Sequence, residues 1–117
     1  MKYIALIYMD SENPIVPETQ EFGKMMAGYQ NATDTYKRDG VWAAGDALQP
    51  VTTATTVRVR NGKTESMDGP FAETKEQLAG FYILDCANLD DAVRYAALIP
   101  GAASGAVEVR PIMVFDR

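Results

Sequence analysis

Any acid–base chemistry in this chain has to proceed without imidazole, because none of its 117 residues is histidine. That removes the commonest general base, the Ser-His-Asp relay, a histidine haem ligand and the histidine-containing zinc sites. The lone cysteine, Cys86, likewise excludes a multi-cysteine metal cluster. Carboxylates, lysines, tyrosines, arginines and backbone dipoles remain. In Val107-Glu108-Val109-Arg110, strand alternation would set Glu108 and Arg110 on one face and the valines on the other. Such a pair either forms an ion pair that fixes the register of an interface, or leaves the arginine free to clamp an anionic ligand. Glu73, Lys75 and Glu76 put three charges in four residues. They read either as a solvated loop or as groups overhanging a cleft, since they lead directly into the most apolar strand. Asp46, after Gly45, is a further candidate cleft carboxylate, and Tyr8 could place a phenol in the same cavity. Asp68 either caps the following Gly-Pro turn through backbone N–H groups or joins the binding residues.

Other residues suit packing better than chemistry. Asp46, Asp68, Glu73 and Glu76 could supply oxygen ligands to a hard cation, but no recognisable spacing connects them, so no metal site is expected. Gly101-Ala102-Ala103-Ser104-Gly105 follows a helix rather than joining a strand to one, which argues against a nucleotide cofactor. No cofactor of any kind is expected. Cys86 suits a small core hydrophobe, Phe71 a core plug, and Trp42 a contact with a helix or a partner chain. Met25, Met26 and the neighbouring tyrosines read as core at helical spacing, and Arg58 with Arg60 as a solvated face.

Composition bounds the class. At 117 residues and 47% hydrophobic content the chain suits one soluble domain, residues 1–117. A net charge of −5, with no basic block, argues against nucleic acid as a partner. No apolar run approaches the roughly 20 residues that cross a bilayer. The first residues read as a strand rather than a signal peptide, and one unpaired cysteine suits the cytoplasm.

The elements that must position these groups follow from periodicity and punctuation. Residues 2–9 are apolar on both alternating faces, which predicts a strand covered above and below. Phe22, Met25, Met26, Tyr29, Ala32 and Tyr36 form one stripe of a helix over 18–39, ended by Gly40. A second strand is expected over 41–48, then a loop over 49–53. Residues 55–60 and 63–67 flank Asn61-Gly62, the strongest short hairpin signal. A strand over 78–86 and a helix opened at Asn88 or Leu89 follow, with Ala92, Val93, Ala96, Leu98 and Ile99 as packing residues. Pro100-Gly101 stops that helix, residues 102–105 loop, and a last strand covers 107–115. The order β-α-β-(β-hairpin)-β-α-β predicts a ferredoxin-like α+β fold: an antiparallel sheet with two helices on one face and an inserted hairpin.

The run Asp68-Gly69-Pro70-Phe71 resembles the DGPF signature of the YCII-related domain family. Met1 to Tyr8, Ala44 to Pro50, Ala54 to Arg58 and Gly105 to Ile112 are similar to that family in the same order. The resemblance implies a dimeric α+β barrel, in which a second copy covers the open sheet face, and so a homodimer. Other branches of the superfamily carry an aspartate after a Gly-Pro turn, thought to act with a histidine. The counterpart here is Glu73, or Lys75 if the loop shifts, and the histidine is missing. These two are the catalytic candidates; Arg110, Glu108, Asp68, Asp46 and Tyr8 are the binding candidates. The expected role is to bind or transform a small anionic or aromatic metabolite, in an inter-sheet cleft between subunits or in a cleft between sheet and helix. The alternative is a non-catalytic module with a protein partner, since relatives are frequently associated with extracytoplasmic-function sigma factors.

Overall fold

The computed structural model describes residues 1–115. Nine apolar or alternating residues at the start make β1 (Lys2–Asp10), and Thr19 caps α1 (Gln20–Arg38), its hydroxyl accepting the Phe22 amide at 3.1 Å. Glu18, expected inside the helix, instead takes φ 71° just ahead of the cap. Gly40, at φ 73°, turns the chain out of the helix into β2 (Trp42–Ala47). A short 3₁₀ turn, Val51–Thr53, leads into β3 (Thr55–Arg60) and β4 (Lys63–Asp68). Asn61 and Gly62 both have positive φ, as a two-residue hairpin turn requires. After β5 (Glu76–Asp85), α2 (Leu89–Ala96) starts on Asn88, whose side chain accepts the Asp91 amide. A single turn, α3 (Gly101–Ser104), occupies part of the expected loop. The last strand, β6 (Ala106–Pro111), stops short of the expected 115.

The strands form an antiparallel four-stranded sheet in the order β2-β5-β1-β6, beside a separate two-stranded sheet of β3 and β4. This is the ferredoxin-like α+β arrangement with an inserted hairpin. Tyr3, Ala5 and Ile7 of β1 with Tyr82 and Leu84 of β5 meet Ala32, Tyr36, Ala92, Tyr95, Ala96 and Ile99 from the helical layer. Val107 and Val109 pack against the same core, as the alternation of β6 predicts. Tyr36 is fully enclosed and donates its hydroxyl to the Tyr95 carbonyl at 2.7 Å; Tyr95 in turn donates to Asp39 at 2.8 Å.

Only one face of the sheet is covered. Ile4, Leu6 and Tyr8 pair with Ile83, Phe81 and Leu78 on one side, and with Arg110, Glu108 and Ala106 on the other. Paired residues share a face, so these side chains lie away from the helices. The expectation that β1 is covered above and below therefore holds on one side of this chain.

Three packing expectations fail outside α1. Phe71 is 78% exposed instead of plugging the core, because Gly69, at φ 99°, turns the loop outwards. Val93 and Leu98 are exposed, since α2 presents Ala92, Tyr95 and Ala96 to the sheet.

Candidate functional site

A space that could take a ligand lies between the first half of α1 and the sheet. Its volume is about 480 Å³. The helix contributes Phe22, Met25, Met26, Tyr29 and Thr33; the sheet contributes Ile7, Met9, Trp42, Gly45, Gly80 and Tyr82. The gap has a sequence cause. Along the C-terminal half of α1, Tyr36 stands edge-on to Tyr82, ring centres 5.3 Å apart, and fills the space between the layers. Towards the N-terminal half, the facing strands offer Gly45 and Gly80, which have no side chain to reach the helix. At Gly45 even a Cβ would meet the Tyr82 ring at 2.6 Å and the Trp42 ring at 3.1 Å. Glycine thus keeps both rings along the floor, where they stand edge to face at 5.7 Å.

On the far side, α1 is pinned by Gly28, where a Cβ would come within 2.7 Å of Pro100. The helix is therefore held at that corner while the cleft stays open beside it. Polar groups in the cleft are few. The Thr33 and Tyr82 hydroxyls are 3.1 Å apart, and burial pushes the Tyr29 phenol up from its usual pKa, so it stays a neutral hydroxyl. The lining includes no lysine or arginine, and its single carboxylate residue, Asp46, pairs with Phe81 and so directs its side chain to the bare sheet face. Lys37 lies outside, its ammonium 5.3 Å from the Trp42 ring centre.

A second cleft, of about 630 Å³, lies at the root of the hairpin. Tyr8, Leu78, Leu48, Pro50, Val51 and Phe71 are among its walls. It is built from loops on either side of the hairpin, with the Gly69 N–H donating a hydrogen bond to the Ala54 carbonyl at 2.7 Å.

The residues singled out from the sequence do not converge. Glu108 and Arg110 pair with each other on the bare face of β6, both largely exposed. Asp46 is on β2 at the opposite edge of the sheet, three strand spacings or roughly 14 Å away. Tyr8 borders the second cleft. Asp68 ends β4, and the adjacent Gly69 amide bonds to Ala54 rather than to its carboxylate. Glu73 is exposed in the loop before β5. Lys75 reaches Glu12 at 3.6 Å, while its carbonyl accepts the Ser11 amide and hydroxyl, stitching this loop to the end of β1. Among the described residues no cluster of acids and cysteine has the geometry of a metal site.

Nor do the perturbed groups form an acid–base pair. The Asp10 carboxyl is held below its usual range by the Glu12 amide and then the Asn13 side chain; the Asp39 carboxyl is held low by the Tyr95 hydroxyl and then Arg38. Both stay ionised, whereas a catalytic acid needs the opposite shift. Cys86 is buried, and burial raises its thiol pKa, which suits a packing residue and not a nucleophile.

Sequence reasoning allowed for a cleft between sheet and helix but missed the residues that line it. It assigned Met25, Met26 and the tyrosines to the core, yet Met26 is exposed and Phe22, Met25 and Tyr29 are only partly buried. The usable signal was the coincidence of this stripe with glycines on the strands opposite.

The fold defines a small α+β protein with an open cleft beneath one helix. The model of the YCII-related domain matches residues 1–116. The chain is also 38% identical over 117 residues to an uncharacterized protein of Rhizobium meliloti (strain 1021), covering 98% of this chain and 94% of that one. The chain therefore belongs to the YCII-related domain family. No described helix is long and apolar enough to cross a membrane.

Proposed function

We propose that this protein binds a small, flat, largely uncharged aromatic molecule in the cleft between α1 and the sheet, and holds it without transforming it. The observation that carries this reading is the lining: two methionines on the helix, Trp42 and Tyr82 on the floor, and no cationic side chain. A volume of about 480 Å³ falls in the range of small-molecule sites, roughly 300–1,000 Å³. Methionine thioethers adapt to an aromatic ring and attract it at its edge. The Thr33–Tyr82 hydroxyl pair and the Tyr29 phenol can orient one polar substituent. Hydroxyls alone provide little acid–base power near neutral pH, and this favours recognition over turnover. Of the two ligand classes expected from the sequence, aromatic fits this cleft and anionic does not. We place the protein in the cytoplasm, where its buried single thiol would stay reduced. A ligand-occupied helix is a suitable signal for a protein partner in a regulatory circuit.

Trp42 is the chain's only tryptophan, so its fluorescence reports the cleft directly. Titration with 4-nitroanisole should quench it saturably, and the anionic isostere 4-nitrobenzoate should bind at least about tenfold more weakly, a difference of ~1.4 kcal/mol. Ala47 is exposed at the rim, so Ala47→Phe should close the mouth and abolish saturable quenching while leaving the fold intact. Equal, unsaturable quenching by both compounds, unchanged in Ala47→Phe, would overturn the reading.

A further inference from the structure

Buried Gly101 opens the α3 turn, where the neighbouring amides of Ile99, Ala102 and Ala103 all donate to backbone carbonyls. A buried N–H without a partner costs free energy comparable to a lost hydrogen bond. The Gly101 N–H finds its partner in a side chain: it donates to the Tyr29 hydroxyl oxygen of α1. Glycine makes that approach possible. A Cβ on Gly101 would come within 3.1 Å of the hydroxyl and 2.8 Å of the Ile7 side chain, with the Met9 sulfur at 3.6 Å. Ile7, Met9 and Tyr29 all line the α1 cleft, so the hydroxyl stands at its β1 side among apolar groups.

A phenol donates one proton and accepts through its oxygen. The hydroxyls of Tyr36 and Tyr95 donate to protein oxygens, and those of Thr33 and Tyr82 pair with each other. At Tyr29 the oxygen is taken up by Gly101, and among the described residues its proton goes to no protein atom. Burial keeps the phenol protonated, so it is a standing donor beside the cleft. Building on the reading of that cleft as a site for a flat, uncharged aromatic molecule, we propose that Tyr29 selects the ligand by donating to a carbonyl oxygen carried on the ring. The ligand class is then aryl ketones, aldehydes and esters.

The surroundings narrow the acceptor to a carbonyl. A carboxylate would need a cation beside it, and the lining has no lysine or arginine. A ligand hydroxyl could accept the Tyr29 proton, but it would bring a proton of its own beside Ile7 and Met9, side chains without an oxygen. A carbonyl oxygen offers lone pairs and no proton, so it completes Tyr29 and adds no new unpaired donor. Such a bond is stronger among apolar walls than in water. Position agrees with this choice. A ring seated over Gly45 and Gly80 lies above β2 and β5, and β1, with Ile7 and Met9, is the next strand, roughly 4.8 Å further on. That step suits a substituent attached directly to the ring.

The test is release of bound 4-nitroanisole in equilibrium dialysis by two compounds of nearly one shape. These are acetophenone and α-methylstyrene, in which a methylene group replaces the carbonyl oxygen. Tyr29→Phe keeps the ring and removes the donor; far-ultraviolet circular dichroism and a cooperative melt establish that it folds. The variant should bind acetophenone about fivefold more weakly, the ~1 kcal/mol of one hydrogen bond, and α-methylstyrene within about twofold of wild type. The infrared carbonyl stretch of acetophenone bound to the wild-type protein is a second measurement that needs no variant. It should lie at a lower wavenumber than in cyclohexane. A shift of both compounds by the same factor, or of neither, overturns the proposal, as does a bound stretch at the cyclohexane position. Saturable binding of 4-nitroanisole that neither compound displaces also overturns it, and leaves the reading of the cleft standing. Absence of saturable 4-nitroanisole binding overturns that reading and this proposal together.

Discussion

The two halves of α1 carry one continuous stripe of apolar residues and meet opposite fates. At the C-terminal half, Ala32 and Tyr36 are buried, and the Tyr36–Tyr95–Asp39 chain of hydrogen bonds ties the helix to α2. At the N-terminal half, Phe22, Met25 and Met26 stand over a floor that contains Gly45 and Gly80, and a cleft opens. The helix is regular throughout; what changes is the size of the side chains facing it. A stripe of this kind fixes which side of a helix turns inward, but the opposite layer decides whether that side is filled. Packing at one end supplies stability, and vacancy at the other leaves a cleft.

The sharpest way to break that contrast is to truncate its packed end. Tyr36→Ala should cost about 3–5 kcal/mol in urea denaturation, as removal of an enclosed aromatic ring does. A loss below about 1 kcal/mol would mean that the two halves are energetically alike. An intermediate effect is expected at the helix start, where Thr19→Ala removes the hydroxyl that accepts the Phe22 amide. It should cost about 1 kcal/mol and, by fraying the turn that carries Phe22, weaken 4-nitroanisole binding. Met26→Ala removes a half-exposed side chain from the open end. Its stability cost should be about 0.5 kcal/mol, yet it should weaken 4-nitroanisole binding more than Tyr36→Phe does, as measured by Trp42 quenching.

The smallest effect concerns acid. The Tyr95 hydroxyl depresses the Asp39 carboxyl, so that contact contributes stability above the unfolded carboxyl pKa of about 3.9. The contribution disappears as pH falls through the lower folded value. Tyr95→Phe should therefore lose less stability than wild type when both are acidified below about pH 4. Parallel acid profiles would show that this bond does not anchor the packed end.

Much of the fold was readable before the structure because its signals are local. Asn61-Gly62 set the hairpin, Gly40 ended α1, Asn88 opened α2, and alternation in Val107 to Arg110 assigned each face of β6 correctly. Phe71, Val93 and Leu98 were misplaced for one shared reason. Apolar character says that a residue favours burial, while the turn at Gly69 and the rotation of α2 decide whether it achieves it. The candidate site was harder to read because it arises from what is missing opposite α1. Gly45 and Gly80 are 35 positions apart in the chain and become neighbours only through the pairing of β2 with β5. Charges in the sequence drew attention to Glu73, Lys75 and Arg110, whereas the enclosed space is lined by sulfur and aromatic carbon.

Cys86 closes β5 with its amide bonded to the Met1 carbonyl, its thiol buried and its ionisation suppressed. Alkylating reagents can reach such a sulfur only when the structure around this end of β5 opens. The chain thus contains a single built-in clock for opening: under conditions where reclosing outpaces alkylation, the labelling rate measures the free energy of exposing the core. That clock can be read in crude mixtures and at low concentration, where optical melting curves cannot be collected.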